Sequence, residues 1–372
     1  LGFVMDELNM DDAADFLEEM PANVVKRVLK VTDPADRRII NQLLQYPEDS
    51  AGSVLTTEFV DLKADMTVDE ALLYIRRYGP DKETIYTCYV TDRDRHLEGV
   101  LGVKELLVGK EDCTVGQLME TNVISVVTTE DQEAVAALFA KYDLIALPVV
   151  DSENRLVGII TVDDVVDIIQ KETTEDIEKM AAILPTDHPY FKTGVLETFR
   201  KRIPWLLLLM VSATFTGMII TGFENALSSM VALVAFMPML MDTGGNSGSQ
   251  ASVTIIRSLA LGDVQFSDIL RVIWKEFRVS LVCGGVLAAA NFAKIMLFDN
   301  LVMQSHISVT VALVVCVTIL LTVIVAKIVG CTLPLLAKKC GFDPAVMASP
   351  FITTIVDAVS LLIYFQIATH IL

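Results

Sequence analysis

One carboxylate, Asp357, stands in PFITTIVDAVSLLIYF (residues 350–365), a run that is otherwise apolar or hydroxyl-bearing. In the middle of a lipid-spanning helix an ionised carboxylate costs at least ~2.5–3.5 kcal/mol, so it must face a partner or water. Helical spacing puts Pro350, Thr353, Thr354, Ser360 and Tyr364 on or near its face. That polar stripe reads as one wall of an ion path. The plain alternative is an acid neutralised by a buried lysine, Lys294 or Lys327.

A second polar set lies in MDTGGNSGSQAS (residues 241–252). Gly244 and Gly245 follow Pro238, and this pattern predicts a helix broken at membrane depth. Broken backbone is tolerated there only inside protein or along a water-filled cavity. Freed carbonyls, with Asp242, Asn246, Ser249 and Gln250, would supply oxygen ligands. Close packing through small residues accounts for the glycines alone. An all-oxygen set without His or Cys favours a hard cation such as Mg²⁺ or Ca²⁺. Mg²⁺ gives up its waters reluctantly, so few carboxylates suffice, and one Asp per chain points to a symmetric dimer with two Asp357 facing one path. Gly245-Asn246-Ser247-Gly248 also fits the GxSG pattern of an intramembrane serine protease, which requires a histidine base within reach; His306 and His370 are placed near the outer ends of their spans.

These residues need elements to hold them. Of 372 residues, 53 % are hydrophobic, and the net charge of −19 is unevenly spread. Residues 1–199 carry −22 and residues 200–372 carry +3. The acidic half repels nucleic acid and attracts cations. In the second half, five apolar stretches (about 203–223, 228–257, 269–298, 307–336 and 344–371) are each long enough to cross a bilayer. Arg200, Lys201 and Arg202, then Arg257, Arg271 and Lys275, then Lys338 and Lys339 mark one side; the connections with Glu224 and Asp299 mark the other. By the positive-inside rule residues 1–202 are cytoplasmic and the C-terminus lies outside the plasma membrane. The six cysteines have no CxxC spacing, so no disulfide framework or zinc site is expected. The fold class is a polytopic α-helical membrane protein with five transmembrane helices and a cytosolic α/β part.

That cytosolic part contains an internal repeat. YTCYVTDRDRHLEGVLGVKELL (86–107) aligns with IALPVVDSENRLVGIITVDDVV (145–166), and each copy reads strand, acidic turn, strand, helix. Asp151 and Glu153 sit in the second turn, Asp163 and Asp164 open its last helix, and Asp187 lies on the connection to the membrane. Singly these acids read as a solvated surface. Together, on facing modules, they read as a sensor that cations draw closed. Gly-Ile-Ile-Thr-Val-Asp-Asp also offers Thr161 and Asp164 to a ribose and phosphate, or only a helix cap.

YPEDSAGSVLTTEFV, the paired repeats, RKRIPWLLLLM, MDTGGNSGSQAS and DPAVMASPFITTIVDAVSLL, in this order, resemble the MgtE family of magnesium channels, and the repeats resemble a CBS pair. The resemblance implies a homodimer in membrane lipid, with a pore between subunits closed by cytosolic Mg²⁺. It places the pore carboxylate on Asp357 and the second-span motif on Gly244, Gly245, Asn246, Gly248 and Gln250, with Ser349 where some members carry Asn. It places sensor acids on Asp151, Glu153, Asp163 and Asp187, and implies ATP at the CBS pair. The expected domains are a partial N-terminal helical domain (1–52), CBS modules (53–116 and 117–186), a plug helix (187–202) and the pore domain (203–372). The expected function is Mg²⁺ uptake gated by intracellular Mg²⁺, not enzymatic; the alternative is a secondary transporter or exporter coupled to Na⁺ or H⁺.

Overall fold

The structure, a computed structural model, describes residues 10–371 apart from 19, 187–189, 225–230, 301, 303, 305 and 348. Contacts divide the chain into two units, Leu1–Glu172 and Thr173–Leu372.

The first unit opens with α1 (Met10–Glu18), α2 (Ala22–Val31) and α3 (Pro34–Leu43). They bury Ala13, Leu17, Val28 and Ile40 together. Pro34 stands at the first position of α3, where its missing N–H costs nothing. Two modules follow. In the first, β1 (Val60–Leu62), α4 (Val68–Tyr78), β2 (Thr87–Thr91) and β3 (Leu97–Gly102) form a sheet of order β1-β2-β3, followed by the short helices α5 (Val103–Val108) and α6 (Val115–Leu118). In the second, β4 (Val126–Val127), α7 (Gln132–Tyr142), β5 (Ala146–Val150) and β6 (Leu156–Thr161) repeat the order. The repeat is kept to the residue. Thr87 pairs with Gly102 as Ala146 pairs with Thr161, and the ladder slips at Val90/Thr91 as it does at Val149/Val150. Side chains alternate across a strand, so a copied register copies the core: Cys88 and Val90 are buried in one module, Leu147 and Val149 in the other.

The division between units falls within α8 (Val162–Met180). The second unit is helical: α9 (Val195–Gly222), α10 (Met237–Ala260), α11 (Ile269–Lys294), α12 (Val309–Lys339) and α13 (Ser349–Ile371). Among the described residues, four helical stretches are long and apolar enough to span a membrane: Val195–Gly222, Phe266–Asp299, Val309–Lys339 and Pro344–Ile371. The remaining apolar stretch, 228–257, holds α10, whose Asp, Asn, Gln and serines lower its hydropathy. Helix α12 is the centre of the bundle and packs against α10, α11 and α13. No boundary separates the expected plug helix from the first span, because α9 runs unbroken across residues 202 and 203.

The expected break at Gly244-Gly245 is absent, and α10 is helical from 237 to 260. A glycine costs a helix only about 1 kcal/mol relative to alanine. A dry helix that opens instead leaves several backbone groups unbonded, each costing more. The glycines buy close approach. A methyl group at Gly245 would lie 2.9 Å from Thr353 Cγ2, and one at Gly248 would lie 2.8 Å from Ile352 Cγ2 and 3.1 Å from the Ala326 carbonyl oxygen. Where α12 passes α10, a methyl on Gly330 would run into the Gly248 carbonyl oxygen, 3.0 Å from its carbon. Backbone cannot swing aside as a side chain can. Gly330→Ala is therefore expected to cost about 1–3 kcal/mol, the usual range for overpacking, and to lower the unfolding temperature in detergent; an unchanged midpoint would show that the helices part freely there.

Candidate functional site

Asp357 lies on α13, half-buried, and its Oδ1 is enclosed with no hydrogen-bond partner among the described residues. The lysine alternative is removed by the geometry. Lys294 Nζ sits 3.1 Å from Asp299, and Lys327 Nζ sits 3.6 Å from Glu276. The charged group acting on Asp357 is instead another acid, Asp242 of α10. Asp357 is half-buried, Asp242 is exposed, and both candidate lysines pair elsewhere.

Helix α10 presents two faces. Gly244, Gly245, Ser247 and Gly248 are buried, while Asp242, Asn246 and Gln250 are exposed at intervals of four and Ser249 is half-buried. One side of the motif thus packs against α12 and α13, and the other carries the oxygen donors outward. These donors are side chains, not carbonyls freed by a helix break. On α13, Thr353 is half-buried against Gly245. Ser360 returns its hydroxyl to the Val356 carbonyl oxygen at 2.6 Å, and Tyr364 donates its hydroxyl to the Leu233 carbonyl oxygen at 3.0 Å. Ser349 is the first residue of α13. Two further residues at this junction went unnoticed in the sequence. Thr322 and Gly330, both on α12, meet Gly244 and Gly248 respectively; their only signal was a hydroxyl and a glycine inside an apolar run.

Among the described residues, neither His306 nor His370 comes near Ser247. Gly248, next to Ser247, meets Val356, and His370 lies fourteen residues further along α13, about 21 Å at the rise of a helix. His306 precedes α12, whose first residue, Val309, is about 26 Å of helix from Ala326, which also meets Gly248.

In the first unit the sensor candidates separate. Asp151 is occupied: its Oδ1 accepts from the backbone N–H of Glu153 at 2.9 Å and of Arg155 at 2.8 Å, and Glu153 is ion-paired with Arg155. Asp92 does the same for Asp94 and His96 in the first module. Both acids therefore shape a turn, whatever else they do. Asp163 is exposed at the start of α8. Beside it, Asp164 Oδ2 accepts from the Thr161 hydroxyl at 2.7 Å, and burial pushes its carboxyl up from the usual carboxylate range. Sequence reasoning missed Glu83. Its Oε2 is enclosed without a partner among the described residues, and its carboxyl is pushed up by burial and then by the charges of Asp163, Asp164, Glu58 and Asp12. Glu58 is also raised, by burial foremost. These five acids come from segments far apart in the chain, so no local motif announces them. Asp187 lies outside the described residues.

Within the second unit, the end of α8 meets the helices. Lys179 pairs with Asp343, on the loop before α13, at 2.7 Å, and also with Glu175. Met180 packs on Ile256 and Ala345. The Leu184 N–H bonds the Lys201 carbonyl oxygen of α9 at 3.0 Å.

Comparison with known proteins gives the family. Residues 237–367 match the divalent cation transporter family MgtE, residues 3–49 the MgtE intracellular N domain, and residues 51–109 and 115–171 the CBS domain. The chain is a membrane protein of the divalent-cation transporter class with a CBS pair. The magnesium transporter MgtE of Thermus thermophilus is 39 % identical over 97 % of this chain and 79 % of its own length. That of Bacillus subtilis is 36 % identical over 98 % and 79 %. The chain belongs to the MgtE family of magnesium transporters. Among solved structures, the soluble part of a magnesium transporter is 36 % identical, with a TM-score of 0.45 over 45 % of this chain and 66 % of that one. The cytosolic domain of the Mg²⁺ channel MgtE in complex with ATP is 45 % identical, with a TM-score of 0.43 over 44 % and 68 %.

Proposed function

We propose that this chain forms a Mg²⁺-selective channel for uptake. It works as a homodimer in the plasma membrane, with five spans per chain, residues 1–202 in the cytoplasm and the C-terminus outside. The observation that carries the reading is Asp357: an acid with one oxygen orphaned, another acid as its charged neighbour, and both candidate lysines engaged elsewhere. The stripe of Asp242, Asn246 and Gln250 supports the dimer. Lipid does not solvate such a stripe, and a second copy facing it encloses a polar path between two Asp357. Uptake then follows the concentration gradient and the inside-negative potential, worth ~2.3 kcal/mol per charge per 100 mV. Mg²⁺ flux into liposomes tests the reading; resolved unitary currents identify a channel, whereas saturating flux dependent on Na⁺ or H⁺ without them identifies a coupled carrier.

Gating follows from the acids of the first unit. Glu83, Glu58 and Asp164 hold their protons more tightly when folded, which means that ionising them opposes folding. Their contribution to stability is present below the usual carboxylate range and is lost as pH rises through the raised folded values. A hard cation bound among them cancels the repulsion at neutral pH. Mg²⁺ is thus expected to raise the unfolding temperature of the full chain in detergent strongly at pH 7.5 and little at pH 5, by calorimetry; an equal effect at both pH values would remove these acids from the sensor. The contacts of Lys179 and Met180 give cation binding a route to α13. Adenine-nucleotide binding at Thr161 and Asp164 belongs to the same proposal, and titration calorimetry with ATP tests it.

A further inference from the structure

Around Gly244, three helices meet. A methyl group added there would lie 2.7 Å from Thr322 Cγ2, 2.9 Å from Ser360 Oγ and 2.9 Å from Val356 Cγ1. Thr322, on α12, is 1 % exposed, and its Oγ1 has no hydrogen-bond partner among the described residues. Its neighbours behave differently. On the same helix Thr318 and Thr332 return their hydroxyls to the carbonyl oxygens four residues back, at 2.8 Å and 2.7 Å. On α13 Thr354 and Ser360 do likewise, at 3.0 Å and 2.6 Å. Self-satisfaction by this back-bond is the default for a hydroxyl in a dry helix. Thr322 forgoes it, and an unpaired buried hydroxyl costs more than a hydrogen bond gains. The second orphaned oxygen of this bundle junction is Asp357 Oδ1, on the residue after Val356 and one turn before Ser360.

We infer that Thr322 is a positioning residue of the cation path: its hydroxyl and Asp357 Oδ1 share one bound water at the three-helix junction around Gly244. A buried water needs two or more polar partners, and the two orphaned oxygens supply them. The hydroxyl donates or accepts as required, while the carboxylate only accepts. The water donates to Oδ1 and holds the carboxylate in one rotamer, leaving Oδ2 for the hydrated cation. Gly244 lets Thr322 come this close to α13. The inference rests on Asp357 serving the ion path, as proposed above.

The test separates the hydroxyl of Thr322 from its methyl group. Thr322→Val keeps the shape and removes the hydroxyl; Thr322→Ser keeps the hydroxyl and removes the methyl. With Mg²⁺ flux into liposomes as the readout, Thr322→Val should raise the half-saturating Mg²⁺ concentration by roughly tenfold, the scale of one hydrogen bond to a charged group, with an undiminished unfolding temperature. Thr322→Ser should stay near the wild type in affinity. A residue that merely fills space gives the reverse order, with valine harmless and serine impaired, and that order overturns the inference. A cryo-electron-microscopy map fine enough to show waters, recorded without Mg²⁺, supplies a readout independent of transport. A peak within hydrogen-bond distance of both oxygens, lost in Thr322→Val, supports the inference; a dry junction in the wild type overturns it. Absence of Mg²⁺ flux in the wild type, with the water present, would sink the channel reading and the role assigned to the water, while leaving the geometry standing.

Discussion

Asp357→Ala liposomes are expected to take up no measurable Mg²⁺ while the protein remains as stable as the wild type or becomes more so. The two halves of this outcome have one cause. Each charge-assisted contact to the ion or its waters is worth about 1.5–3 kcal/mol. With one carboxylate from each subunit of the proposed dimer, their loss exceeds about 3 kcal/mol, more than a hundredfold in occupancy. The same carboxylate costs the bundle at least ~2.5–3.5 kcal/mol to hold at membrane depth. Neither candidate lysine recovers that cost, since Lys294 and Lys327 face other acids. Removing the charge thus ends function and relieves the fold. Asp357→Asn, nearly the same volume, should behave alike. Isotope or dye uptake measured beside thermal unfolding checks both halves. Wild-type uptake by either variant would move the ion path elsewhere, and a large loss of stability would make Asp357 a structural acid.

The largest effect on stability is expected where α12 packs against α11. Lys327 and Glu276 are 7 % and 12 % exposed at the side chain and 3.6 Å apart. Glu276→Ala leaves a buried ammonium without its counter-charge, which typically costs 3–5 kcal/mol. Lys327→Met leaves the carboxylate in the same position. The double change, Glu276→Leu with Lys327→Met, removes both desolvation penalties and should recover most of the loss. Unfolding in detergent, read through a double-mutant cycle, measures the coupling between them. If the double variant is as unstable as the sum of the single ones, the two charges do not act as a pair.

Much of this was readable beforehand because it is local. The tandem repeat shows in the alignment of two 22-residue segments, and the structure keeps it down to the slipped ladder pair in each module. Asp357 stands out because charge in an apolar run is expensive wherever the run goes. The misreading at Gly244-Gly245 has the same origin. Local propensity says that glycines break helices, whereas the packing that keeps α10 intact comes from α12 and α13. Thr322 and Gly330 carry no local mark at all, since a hydroxyl in an apolar helix usually bonds its own backbone. The acids around Glu83 come from three other places along the chain, and only folding brings Asp12 into the field of Glu83. Asp151 shows the converse. Its acidity invited a sensor role, yet the matching turn at Asp92 gives both residues the same backbone to hold.

Helix α9 begins at Val195 and ends at Gly222 without interruption, a length of about 42 Å. Its first turns are tied to the segment after α8 through Lys201. A rod of that length works as a lever: a tilt of only about five degrees at one end carries the other by nearly 4 Å, on the order of the repeat along a helix. Pro204, one turn beyond Lys201, removes a backbone donor and gives the rod its single compliant point near the fulcrum. Stiffening or softening that point, by Pro204→Ala or a second nearby proline, becomes a way to tune how much of a displacement at its first turns arrives at its far end.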